Sequence, residues 1–231
     1  FIIADEIYLN LAYNGHKGKS LSEVIGHVPA ISMKGISKEL PWPGSRCGWI
    51  EIYNADRDPM FANYIKSIIN AKMVEVCSTT LPQKAIPRVF EHPAYADHLM
   101  KRRKRYERFS EIGYGKLKDV PGIMVNQTNG AFYMTVVFEE GRINLEQTLT
   151  IANPDVRELI ESLTAKDKKM QPDKRFVYYL LGSTGICVVP LTSFSSELQG
   201  FRVTLLETDE GKFTETFDTL SRSIKQYLAS A

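Results

Sequence analysis

The sequence has little of what staples a fold or builds a metal centre. Its three cysteines, Cys47, Cys77 and Cys187, are far apart, odd in number and without a C-x-x-C pair. That argues against a disulfide framework and against a zinc site, and makes a reducing cytoplasm the expected compartment. The four histidines, His16, His27, His92 and His98, show no metal-ligand spacing, so no metal is expected. No apolar run approaches the ~20 residues of a membrane-spanning helix. Charge of one sign is missing too: 29 basic against 27 acidic residues leave +2. That is too mild for a nucleic-acid or membrane partner. There are no internal repeats and no low-complexity tract.

What is there reads as an ordinary soluble globular chain, 43% apolar and 24% charged. It starts at Phe1, inside a strand pattern, with no initiator methionine and no signal peptide. This reads as a cut end, so the expectation is the C-terminal portion of a longer protein. Phe1 to Ala4 has the continuous apolar character of a central parallel strand. Ser22 to Ile25 reads as a helical turn, Ala30 to Met33 as a second strand and Cys47 to Tyr53 as a third. Asp58-Pro59 is a helix start, and Ile65, Ile68, Ile69 and Met73 follow at helical spacing. Ser78 to Gln83 opens another helix, running towards Phe90.

Tyr95 to Leu117 reads as one long helix, whose basic run Lys101 to Arg105 is expected to be a solvated, salt-bridged face. Beyond the Pro121-Gly122 break, Ile123 to Val125 and Phe132 to Phe138 read as strands. Gly141 to Asn153 is irregular. Asn153 caps a helix to about Leu163, and Ala165 to Lys174 reads as a mobile loop. Phe176 to Leu181 reads as a helix stopped by Gly182. Gly185 to Pro190 and Phe201 to Leu206 read as strands. Gly211 to Leu228 forms an amphipathic helix with Phe213, Phe217, Leu220 and Ile224 on one face. Strands alternating with helices, followed by a mixed tail, predict an α/β domain with a smaller α+β domain.

The stretch around which the chain is organised is Ser37 to Trp49. Lys38 follows an apolar run, a Pro43-Gly44 turn follows Lys38, and Arg46 stands eight residues after it, before Gly48-Trp49. Upstream lies Asp5-Glu6-Ile7-Tyr8 at the carboxyl end of the first strand, the end that faces a ligand crevice in open α/β sheets. Downstream, Gly200-Phe201-Arg202-Val203 places an arginine in a late strand. This ordered set resembles the fold-type I pyridoxal-phosphate enzymes, and among them the class I/II aminotransferases, over nearly the whole chain. It matches only their later half.

The resemblance implies a PLP-transferase-like α/β fold. Residues 1–115 would be the later part of a large three-layer domain with its interdomain helix, and residues 116–231 a small α+β domain. It implies pyridoxal 5′-phosphate as cofactor, with Lys38 as the catalytic lysine that joins its aldehyde, helped by nearby positive charge. Without the motif, Lys38 would read as an exposed loop lysine. Lys34 is its nearest competitor, but without an arginine at the right distance. Asp5 would keep the pyridine nitrogen protonated, or else cap a turn at a strand end. Tyr8 would donate to the ring oxygen, or else be a half-buried aromatic. Arg46 would hold the phosphate. Relatives often carry a serine three residues before the lysine. Here that place is Gly35, which leaves Ser37 as the hydroxyl on hand or the contact missing. Arg202 would clamp the substrate carboxylate, or else form a strand salt bridge.

Three family parts should precede Phe1: a glycine-containing helix start for the phosphate, a stacking aromatic, and an asparagine beside the ring oxygen. The piece is therefore expected to be inactive alone, with open sheet edges and exposed apolar surface. The implied reaction is amino-group transfer between an amino acid and a 2-oxo acid, by a homodimer to which Ser78 to Gln83 contributes across the subunits. A lyase or decarboxylase of the same fold, or a non-catalytic interaction module, are the alternatives, because fold does not fix reaction.

Overall fold

The computed structural model describes residues 1–167 and 169–230, and the chain folds into two compact units, Phe1–Lys104 and Arg105–Ala231. The first is built on three strands: β1 (Ile2–Asp5), β2 (Ala30–Gly35) and β3 (Gly48–Tyr53), in the order β1-β2-β3. β1 runs parallel to β2, with Ile2 opposite Ala30 and Asp5 opposite Met33. β3 is antiparallel to β2, pairing Ala30 with Tyr53 and Gly35 with Gly48. Both faces of this sheet carry helices, as its apolar strands require. On one face the short helix α1 (Leu21–Val24) packs Leu21 and Ile25 on Ala30, beside Ala4 and Tyr53. On the other, α2 (Pro59–Met73) packs Phe61 and Ile65 on Ile31.

Asp58 starts α2 as its sequence predicts: the carboxylate accepts from the amides of Met60 at 2.8 Å and Phe61 at 3.3 Å. The apolar spacing overreaches at the far end, where Ile69 and Met73 are exposed; the face that meets the sheet stops at Ile65 and Ile68. α3 (Thr80–Phe90) and α4 (Tyr95–Leu117) follow. β1 departs from the expected central strand. It is the outermost of the three, with Ile2 43% and Ile3 50% exposed, because no strand among the described residues pairs with its outer edge. Exposed apolar surface of this kind was expected from the sequence.

The second unit has a four-stranded antiparallel sheet. β4 (Ile123–Val125), β5 (Tyr133–Phe138), β6 (Val189–Pro190) and β7 (Gly200–Thr204) lie in the order β4-β5-β7-β6. Its core is aromatic: Phe176 lies 5.1 Å from Phe138, 5.4 Å from Phe201 and 5.1 Å from Tyr227, ring centre to ring centre. Such pairs add roughly 0.5–1.5 kcal/mol each beyond area burial. Phe176 belongs to α6 (Pro172–Thr184), Tyr227 to α7 (Glu210–Leu228). Phe213, Phe217, Leu220 and Ile224 of α7 are buried, as their spacing predicts.

Four expectations need correction. α5 (Pro154–Lys166), capped by Asn153, extends past Leu163. α6 already begins at Pro172, so the expected loop over 165–174 shrinks to 167–171, of which Lys168 lies outside the described residues. α6 also runs through Gly182 and ends at Gly185, whose φ of +77° suits a glycine cap. Gly182 is there for closeness: a Cβ would lie 2.9 Å from both Ile151 and Ile160. Finally, the strand expected over Gly185 to Pro190 pairs only at Val189–Pro190.

The stretch from Gly141 to Asn153 is irregular, as expected, yet it packs: Leu149 and Ile151 are buried and Arg175 donates to the Gln147 carbonyl at 3.0 Å. β7 is locked by Asp173, fully buried, whose carboxylate accepts from the Thr192 hydroxyl at 2.7 Å, the Thr192 amide at 3.0 Å and the Gly200 amide at 3.4 Å. At Gly200 a Cβ would lie 2.2 Å from the Val136 carbonyl oxygen and 3.0 Å from the Val137 Cα. Backbone cannot swing aside as a side chain can, so Gly200→Ala is expected to cost about 2–4 kcal/mol. Thermal or denaturant unfolding of the variant measures it.

Candidate functional site

Parallel pairing of β1 with β2 brings the carboxyl ends of both strands to one edge of the sheet. Asp5 closes β1 with its carboxylate accepting from the Ile7 amide at 3.1 Å. The chain then turns through Tyr8. β2 ends at Gly35, and the loop carrying Lys38 begins. Ile36, fully buried, anchors the start of that loop, and its carbonyl accepts from the Trp42 amide at 3.2 Å. Ser45, also buried, anchors the far end through its hydroxyl on the Trp42 carbonyl at 2.7 Å. Arg46 follows in a left-handed conformation, φ +49°, with its guanidinium donating to the Pro43 carbonyl at 2.9 Å.

A cleft of about 460 Å³ opens between these segments, lined by Asp5, Tyr8, Ser37, Lys38 and Arg46 together with Ile7, Met33, Lys34 and Pro43. Five sequence-predicted residues thus meet in one place. The Lys38 amine stands 5.9 Å from the centre of the Tyr8 ring. The volume lies in the range of small-molecule sites. Carboxylate, phenol, amine, hydroxyl and guanidinium are also the donor set that a phosphorylated, protonated pyridine aldehyde needs. The chain therefore fits pyridoxal 5′-phosphate at this edge.

Comparisons with known proteins give the family. Residues 1–219 match the family model "Aminotransferase class I and II". The chain belongs to the class I and II aminotransferases. An uncharacterised aminotransferase of Methanocaldococcus jannaschii is 58% identical over 228 residues, covering 99% of this chain and 52% of that protein. Among solved structures, an alanine aminotransferase from Pyrococcus furiosus superposes with a TM-score of 0.75 at 23% identity, covering 96% of this chain and 49% of that one. A tyrosine aminotransferase from Leishmania infantum gives 0.74 at 17% identity, over 97% and 48%. The chain spans about half the length of the relatives it matches, and its fold is that of the fold-type I aminotransferases. Among the described residues, no helix is long and apolar enough to cross a membrane.

Within this aminotransferase scaffold Gly35, where relatives often have serine, is tight. A Cβ would lie 3.0 Å from Ile7 Cδ1 and 3.2 Å from the Cys47 carbonyl oxygen. A serine there would have to push its neighbours aside; Ser37 is among the residues that line the cleft. Gly48 is equally confined, 2.8 Å from the Lys34 carbonyl oxygen for a notional Cβ.

Lys34, the competitor of Lys38, is bound into a different structure. Ser32, Lys34, Trp49 and Glu51 alternate onto one face of the sheet. There Lys34 Nζ lies 2.8 Å from Glu51 and 3.5 Å from Glu6. Burial alone would lower the Lys34 pKa, but the Glu51 hydrogen bond and the Glu51 and Glu6 charges hold it above its ordinary value. An amine kept protonated in this way is a poor nucleophile. Glu6 and Glu51 are the counterparts. Burial pushes both up. The Leu21 amide, the Ser32 and Ser20 hydroxyls and Lys34 outweigh it at Glu6, and Lys34, Tyr53 and Trp49 outweigh it at Glu51, so both stay below the usual carboxylate value.

Two groups that sequence reasoning passed over touch the loop of Lys38. Asn10 Nδ2 donates to Glu39 at 2.9 Å, and burial raises the Glu39 pKa despite that bond. Arg102 Nη2 donates to the carbonyl of Lys38 at 3.0 Å. The basic run is thus not uniformly a solvated face. Lys101 pairs with Asp97 on the surface, whereas Arg102 is only 9% exposed. The signal was present: Leu99, Arg102 and Tyr106 share one buried stripe of α4, so the arginine stands where the period calls for an apolar residue.

Arg202, in the second unit, sits on β7, its guanidinium carbon 4.2 Å from the Tyr133 ring centre and 4.2 Å from that of Phe194. Two aromatic faces thus flank the guanidinium.

The Lys34 ion pairs set a pH dependence. With both carboxylates depressed below 4.5, their stabilisation is present above about pH 4.5 and is lost as pH falls through the lower folded values. Lys34, raised above 10.5, adds stabilisation present below pH 10.5 and lost above it. Lys34→Met is expected to cost about 1–2 kcal/mol at neutral pH, because the pairs are partly exposed. It should also move the acid unfolding midpoint towards neutral pH, read by circular dichroism across a pH series.

Proposed function

We propose that the protein carrying this chain is a pyridoxal-phosphate-dependent aminotransferase, with Lys38 as its catalytic lysine. The single observation that carries this reading is the cleft that gathers Asp5, Tyr8, Ser37, Lys38 and Arg46 at one sheet edge, in a chain of the aminotransferase family. When bound, the cofactor supplies an aldehyde that condenses with amines and a cationic ring that accepts electrons.

The chain's own residues do the rest. Asp5 would hold the proton on the ring nitrogen, since a carboxylate beside that nitrogen favours its charged form. Tyr8 would donate a hydrogen bond to the ring oxygen. Arg46 and Ser37 would hold the phosphate by a planar fork and a hydroxyl. Lys38 would hold the cofactor's aldehyde, and its Nζ, when free, would take the proton from the substrate Cα and return it to the cofactor, as general base and then general acid. We assign Arg202 to the substrate carboxylate, whose capture orients the Cα–H bond. The substrates are an amino acid and a 2-oxo acid.

Residues 1–115 are assigned to the cofactor-binding domain and 116–231 to the small domain. A cytoplasmic homodimer, with Ser78 to Gln83 at the subunit contact, completes the reading. Its cytoplasmic part is supported by three free thiols.

Borohydride reduction after incubation with the cofactor, followed by peptide mapping, should place the label on Lys38. Lys38→Ala should abolish both label and visible absorbance. A label on Lys34, or none in the intact protein, overturns the reading. Arg46→Ala should weaken cofactor binding by about 10–100-fold, the worth of a charged hydrogen bond of roughly 1.5–3 kcal/mol. Titration of absorbance measures it.

A further inference from the structure

We propose that Arg102 is a positioning residue for the Lys38 amine, gripping the main chain of the lysine itself from the long helix α4. This rests on the reading of Lys38 as the cofactor lysine. Arg102 is 64 residues away in sequence, and its Nη2 donates to the Lys38 carbonyl at 3.0 Å. Burying a guanidinium to 9% exposure is costly unless polar partners receive it. The Lys38 carbonyl is one such partner, at the residue that carries the chemistry.

The loop needs such a hold. It is fastened by buried Ile36 at one end and Ser45 at the other, and Lys38 lies between them on a stretch with no regular structure. A lysine side chain has four rotatable bonds, so the place of its amine depends on how well its Cα is fixed. Arg102 fixes the carbonyl on one side. Asn10, three residues after the Asp5 turn closes at Tyr8's neighbour Ile7, fixes the next residue, Glu39, on another at 2.9 Å. Together they tie the loop to α4 and to the segment that carries Asp5 and Tyr8. A charged donor on a carbonyl holds about twice as strongly as a neutral one. A displacement of 1 Å at a reacting group costs up to about a hundredfold in rate.

The test compares Arg102→Met, which keeps much of the stem and loses the donors, Arg102→Lys, which keeps the charge and loses the fork, and Lys101→Met as a surface control. In each, the rate of borohydride-trapped cofactor labelling at Lys38 is measured well below the melting temperature, beside amide exchange over residues 36–47. Labelling is expected to slow about tenfold or more in Arg102→Met and less in Arg102→Lys, with faster exchange around Lys38, and to stay at the parental rate in Lys101→Met. Parental labelling and exchange in a folded Arg102→Met overturn the proposal; a lowered melting temperature with unchanged labelling does the same, since that is a structural role alone. If Arg102→Met does not fold, Arg102→Lys decides: slower labelling supports the proposal and the parental rate overturns it. If the parent is not labelled at Lys38, the cofactor reading falls by itself, while the exchange rates still report whether Arg102 holds the loop.

Discussion

The parallel pairing of β1 with β2 is the constraint on which the candidate site depends. Because the strands run the same way, their carboxyl ends lie side by side, and Asp5 stands opposite Met33 in register. The turn that follows Asp5 and the loop that follows Gly35 must then leave from one edge. An antiparallel pair would send them to opposite ends. A register slip of one residue would turn Asp5 to the other face and bring Glu6 in its place.

The alternation of side chains across the sheet separates two charged systems that sequence proximity would mix. Asp5 and Glu6 are neighbours, yet Asp5 lines the cleft with Lys38 while Glu6 joins Lys34 and Glu51. Lys34 and Lys38 are four residues apart, yet one is bound to two carboxylates and the other stands on a loop. The ion pairs of the first lysine make it a structural cation. The second stands at the cleft's rim, its amine 5.9 Å from the centre of the Tyr8 ring.

The glycines of the motif have a steric meaning here. Gly35 and Gly48 face each other across β2 and β3 with almost no room for a Cβ. Their closeness lets the loop leave the sheet at Gly35 and return to it directly opposite, at Gly48. In the second unit Gly200 serves the same purpose against the Val136 carbonyl, and Asp173 ties the amide of that glycine to the helix beside it. Arg202 therefore stands on a strand fixed at its first residue.

Much of this was legible in the residues. Asp58-Pro59 and Asn153-Pro154 announce helix starts because an acceptor side chain and a fixed φ act locally. The α7 face was legible because burial follows the helical period. The five cleft residues could be named because their types and spacing carry a family resemblance. Other features depended on contacts distant in sequence. α6 passes through Gly182 because Ile151 and Ile160 close on it, which no local propensity reveals. β1 is outermost because pairing needs a neighbour, and a strand pattern says nothing of where that neighbour is. Arg102 read as one cation in a solvated run; only the fold brings the Lys38 carbonyl to it across 64 residues. Sequence determined the local stops, starts and chemical types, since these rest on interactions within a few residues. Tertiary structure alone decided that Lys34 is neutralised by Glu6 and Glu51 and that Arg102 is buried, since those depend on distances between segments that the chain order leaves free.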